Sequence, residues 1–170
     1  MPRTARTRLV ALGVGAAAVT ALAGGCAVMN PITTAHPYAP SDGIRVPLNQ
    51  ALVVENLMVL TDGDGTSGHI LGAVVNRSNE PAEVSLTIGE GGSPIPVRID
   101  AQDEVNLTNA GITAESLEAE PGAVVPSVVS SESSGDMTVQ VPVLDGTIPP
   151  YDDYLEAVEN GEEWTPTAAE

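Results

Sequence analysis

Along residues 82–88, Ala-Glu-Val-Ser-Leu-Thr-Ile, every even position is apolar and every odd internal position polar. That alternation is what a strand with one buried face requires. Residues 137–143 repeat it, with Pro142 on the outward set, and a residue without an N–H there predicts an edge strand or a bulge. Residues 95–100 behave alike around Pro96. Two further runs, 52–60 and 70–75, are apolar on both faces and read as central strands. Weaker strands at 105–107 and 124–129 bring the total to about seven. Clusters of Gly, Asn, Asp, Ser and Pro at 62–68, 76–81, 89–94 and 130–136 supply the turns between them. The spacing predicts an all-β fold, a Greek-key β-sandwich over residues 44–146.

Only the C-terminal end departs from period two. After Pro149 and Pro150, residues 151–160 read as a short acidic helix, followed by a polar tail that holds Trp164, so 147–170 forms a helical and acidic appendix. Residues 26–43 carry Pro31, Pro37 and Pro40 with no hydrophobic periodicity and read as a tether.

The N-terminal pattern is different again. Arg3, Arg6 and Arg8 precede an uncharged run over residues 9–22, the order of an export signal. As a helix that run would extend roughly 21 Å, short of the roughly 30 Å hydrocarbon core. A permanent span is therefore disfavoured. The run ends in Leu22-Ala23-Gly24-Gly25-Cys26, which contains the only cysteine of the chain. This segment resembles the lipobox of bacterial lipoproteins, with Ala23 where Leu is commonest and Leu22 one place earlier. The resemblance implies a signal peptide over 1–25, cleavage between Gly25 and Cys26, and a diacylglyceryl lipid on the Cys26 sulfur. The alternative is secretory cleavage after Ala21-Leu22-Ala23, which would leave Cys26 as a free thiol.

Composition narrows the function classes. A single Cys excludes a disulfide scaffold, a CxxC redox site and a thiolate-rich zinc site. The chain has no Lys, and its formal charge of -17 opposes nucleic-acid binding. All 23 acids follow Cys26 but only three of the six arginines do, so the exported part stands at -20. Anionic headgroups repel such a body, and membrane attachment has to come from acyl chains.

Two strands flank an Asn-rich turn in Gly72-Ala73-Val74-Val75-Asn76-Arg77-Ser78-Asn79-Glu80-Pro81-Ala82-Glu83-Val84, and Val139-Gln140-Val141-Pro142-Val143 follows near the C-terminus. Together with the lipobox, this resembles a family of small actinobacterial envelope lipoproteins, themselves similar to the periplasmic copper-chaperone fold PCuAC, a cupredoxin-like β-sandwich. That chaperone family implies a soft Cu(I) site ordered as His or Met, ten residues, Met, twenty-one residues, His, one residue, Met. Counted from Met58, the second position falls on His69 and the last two on Gly91 and Ser93. Half of the site is missing, and Met137 is the next soft side chain along the chain. Met58 and His69 thus read as a core methionine and a strand-edge histidine, or as a degenerate soft-metal site.

Other chemistry is thinner still. Asp62-Gly63-Asp64-Gly65-Thr66 starts like a calcium loop, but Ser67 stands where Gly is needed and Ala73 where the bidentate Glu is needed. A solvated hairpin is the simpler reading. The histidines are His36, in the tether, and His69, so a nucleophile with a neighbouring base has few places to form. Adjacent acids such as Asp103-Glu104 and Asp152-Asp153 read as solvated faces. Tyr151, Tyr154 and Trp164, interleaved with acids, read either as cover for one end of the sandwich or as a docking segment for a basic partner.

The expectation is a non-enzymatic, lipid-anchored β-sandwich on the outer face of the cell membrane. It needs no cofactor and serves as accessory or scaffold for an envelope or respiratory partner. The alternative is a Cu(I) carrier using Met58 and His69 with help from Met137; a carboxylate hydrolase ranks last.

Overall fold

A computed structural model of the chain describes residues 41–61, 66–115, 117–160, 162 and 164. Among these residues nine strands form: β1 (Ile44–Pro47), β2 (Leu52–Thr61), β3 (Ser67–Asn76), β4 (Ala82–Thr87), β5 (Ile95–Ile99), β6 (Asp103–Asn106), β7 (Thr113–Glu115), β8 (Val124–Ser131) and β9 (Gly135–Asp145). One helix follows, α1 (Tyr151–Asn160). The all-β sandwich expected from the period is what the chain forms, with β1 and β7 added to the expected strands. These are four and three residues long.

The strands run in the order β5-β4-β8-β9-β2-β3-β6, with β1 beside β2 and β7 beside β3. One layer is β5-β4-β8-β9 and the other is built on β2, β3, β6 and β7. Between the layers lies the main core, to which Val54, Leu57, Val59, Ile70 and Val74 contribute from one side, and Val84, Leu86, Val97, Val129 and Val141 from the other. It contains no Phe. Aliphatic side chains from both sheets fill it instead, each buried as the alternation requires.

β9 belongs to both layers. Residues 135–142 pair antiparallel with β8, and Val143, Leu144 and Asp145 pair parallel with Val59, Leu60 and Thr61 of β2. The N–H of Val143 donates to Ala123 O at 2.9 Å. Because successive N–H groups point to opposite sides, the Pro142 nitrogen faces the side on which pairing with β2 has not yet begun. The missing donor therefore costs no ladder bond. Pro96, on the terminal strand β5, is tolerated for the reason the sequence suggested.

β2 changes face midway. Glu55 pairs with Ala73 and Met58 with Leu71, so Asn56 and Leu57 together oppose Gly72. Asn56 adopts φ 53°, and its Oδ1 accepts the Gly43 N–H at 2.9 Å. Such a bulge shifts the inward set by one residue. Before it Leu52 and Val54 face the main core; after it Leu57 and Val59 do, and Met58 and Leu60 point to the outer side.

Candidate functional site

The outer side of the β2–β3 pair gathers most of the side chains that the sequence singles out. Leu60 pairs with His69 and Met58 with Leu71, so Met58 and His69 are diagonal neighbours on one face. Over them lies α1. Met58, Leu60, Leu71 and Tyr154 form a second apolar cluster, with Leu144, Tyr151, Leu155, Val158 and Trp164 packed around it. The His69 ring meets Tyr154 edge-on at 5.7 Å, and Tyr154 meets Trp164 edge-on at 5.6 Å. This cluster explains why 52–60 reads as apolar on both faces: one face serves the main core and the other serves the helix.

Two phenols tie α1 down. Tyr151 donates its hydroxyl to Asp42 Oδ2 at 2.6 Å, and the same oxygen lies 3.7 Å from Met58 Sδ. Tyr154 donates to the Thr108 carbonyl at 3.3 Å. Burial raises the Tyr151 hydroxyl well above the ordinary tyrosine range, and the hydrogen bond to Asp42 and its charge add to this. Burial also raises Tyr154. Tyr154 is 2% exposed and is not presented to solvent; Tyr151 and Trp164 are half-buried. The aromatics read as a docking segment thus pack inward, against the residues read as half of a metal site.

The remaining candidates are scattered. Met137 packs against the main core from the first part of β9, in a different cluster from Met58, so the third soft side chain does not join the pair. Gly91 and Ser93 lie in the β4–β5 turn and line a cavity of about 270 Å³ with Ile88, Ile95 and Ala114; neither brings a soft donor. Among the described residues no group of three or more His, Cys, Asp and Glu side chains is placed to hold a metal ion. Gly25, Cys26, the signal segment, His36 and residues 62–65 of the calcium-like loop lie outside the described residues. Among the described residues no helix is long and apolar enough to cross a membrane.

A wider cleft of about 890 Å³ opens elsewhere, between the 76–81 turn, the end of β5 and the β8–β9 hairpin. Its rim carries Glu80, Glu83, Arg98, Asp100, Glu132 and several serines. Ser131 and Ser133 lie 3.2 Å apart, and Asn49 Nδ2 donates to Ser133 at 2.8 Å. Among the described residues no imidazole lines it, so none of them offers these hydroxyls a histidine base. At its floor sits Asn76, which the sequence reading passed over as a turn residue. Its Nδ2 donates to the carbonyls of Glu80 and Asp100 at 2.8 and 3.0 Å, and its Oδ1 accepts from the Ser78 N–H and hydroxyl at 3.0 and 2.7 Å. At 1% exposure this amide is a satisfied structural plug between two turns. The Asn at the end of an apolar strand, before Arg-Ser-Asn-Glu-Pro, was the available signal.

The fold and this helix-capped face define an all-β sandwich with a C-terminal helix packed on one sheet. Solved structures similar to it include PCuAC domains. The copper-bound PCuAC domain from PmoF2 aligns at 14% identity and TM-score 0.46, covering 59% of this chain and 97% of that one. The apo PmoF2 PCuAC domain gives 14% and 0.44, over 58% and 93%. The apo PCuAC domain from PmoF1 gives 14% and 0.45, over 58% and 97%. No family model matches the chain, and no curated protein matches it.

Proposed function

We propose that the chain is a lipid-anchored, extracytoplasmic β-sandwich that serves as a non-enzymatic accessory or scaffold for an envelope complex. The anchor in this reading is a diacylglyceryl group on Cys26, after removal of residues 1–25, with 26–43 as the tether. The observation that carries the accessory role is the seating of α1: the two side chains best suited to a soft metal, Met58 and His69, are engaged by Tyr151 and Tyr154 in packing. A face spent on holding the protein's own helix supports a binding body better than a metal carrier. The test is a mild-detergent pull-down from membranes, with mass spectrometry of the captured chain. A stoichiometric companion and an acylated Cys26 are expected. Recovery of the chain alone after crosslinking removes the accessory role, and an unmodified Cys26 thiol removes the anchor.

A second reading, a Cu(I) carrier, draws on the strand register that makes Met58 and His69 neighbours on one face. Competition titration with a Cu(I) chelator tests it. Tight binding weakened by both Met58→Ala and His69→Ala supports the carrier, and binding indifferent to either substitution removes it.

A further inference from the structure

α1 is joined to the sandwich by a cluster separate from the main core. Its apolar face is Tyr151, Tyr154, Leu155 and Val158, seated on Met58, Leu60, Leu71 and Leu144. That spacing, i, i+3, i+4 and i+7, is how an amphipathic helix fills a groove. The other face is Asp152, Asp153, Glu156 and Glu159, all exposed. Its last turn carries no base, although cations are what the C-terminal end of a helix dipole favours.

The electrostatics of this pairing are poor. The helix contributes four of the carboxylates that bring residues 26–170 to -20, and like charges on one body repel. Among the described residues the ion pairs are Arg45 with Glu55 and Arg98 with Glu83, and neither involves α1. A helix of ten residues is also too short to persist on its own in water. α1 is therefore held by its apolar face and two phenol hydrogen bonds, against its charge. A helix with the same apolar spacing and a cationic outer face would meet the same surface with attraction in place of repulsion.

We propose that α1 is a detachable strap, and that the Met58, Leu60, Leu71 and Leu144 surface beneath it receives a basic amphipathic helix of a partner protein in its place. This deepens, and rests on, the accessory reading. Because the main core lies on the other side of the sheet, exchange of one helix for another leaves the sandwich folded.

The probe is a synthetic peptide that keeps the Tyr-x-x-Tyr-Leu-x-x-Val spacing with Lys and Arg at the other positions, added to the full mature chain. Trp164 is the single Trp and touches Tyr154, so its emission reports strap release. Amide hydrogen exchange locates the change. The expected result is binding at least tenfold tighter than a scrambled peptide of equal composition, with faster exchange in α1 and unchanged exchange in β2, β8 and β9. Tyr151→Phe, which removes one tie, is expected to tighten binding severalfold, since less of the protein is held in the closed state. Equal affinity for the scramble, or binding with α1 still protected, overturns the proposal. If exchange succeeds but no companion is recovered from membranes, the accessory reading falls and the strap stands. If a companion is recovered but exchange fails, only the strap falls.

Discussion

Tyr151 and Asn76 show how much a single side chain carries here. Removing the Tyr151 hydroxyl deletes its bond to Asp42, and Tyr151→Phe is expected to loosen α1 by about 1 kcal/mol, read as an earlier Trp164 fluorescence transition on heating. Because the folded-state value of this phenol is raised, its contribution is intact below the ordinary tyrosine pKa of about 10 and is lost as pH climbs beyond it. Tyr154 follows the same sign. Alkaline titration by absorbance at 295 nm is therefore expected to show these two phenols ionising late, as α1 comes away. Asn76→Ala strands the Asp100 carbonyl and the Ser78 N–H and leaves the Glu80 carbonyl only the Ser78 hydroxyl, an expected loss of about 2 kcal/mol in denaturant unfolding. Sequence reasoning found the identities of Met58, His69, Tyr151, Tyr154 and Trp164 because rare residue types stand out against an aliphatic chain. It could not find that they meet, since that depends on which face of β2 the bulge leaves outward. Asn76 escaped it because an Asn in a turn is common and its burial is not a local property.

At the level of elements, alternation located β4, β5 and β9, runs apolar on both faces located β2 and β3, and the weaker runs at 105–107 and 124–129 fell on β6 and β8. Neither pattern could give their direction, so the parallel pairing of β9 with β2 was not legible, and both missed β1 and β7. The β2 bulge was also hidden, because apolar residues on both faces look the same whether or not the register slips. Its partner is Gly72, at φ 130°, where an added Cβ would stand 2.7 Å from the Glu55 carbonyl oxygen. Gly72→Ala is expected to destabilise the protein by more than about 1 kcal/mol, checked by thermal unfolding; a neutral result would mean that the bulge relaxes. The helix itself was readable from Pro149-Pro150 and the residues after it, but its seat was not.

For the whole molecule, net charge outweighs pairing. Only two ion pairs are present among the described residues, both at least partly exposed, and such pairs contribute little. Repulsion among the carboxylates dominates, so added salt should stabilise this protein. The expected outcome is a melting temperature that rises as sodium chloride goes from low ionic strength to about 0.15 M, where the Debye length falls to about 8 Å. A fall would show that the ion pairs carry more than their exposure suggests.

The doubly shared strand β9 has a mechanical corollary. A protease nick at the exposed tip of the β8–β9 hairpin, near Glu132 and Ser133, would leave both fragments stitched along their length. A cut beside Pro142 would leave both layers in one fragment and free a short piece that is held by the three pairs of Val143, Leu144 and Asp145 with β2 and by the seat of α1.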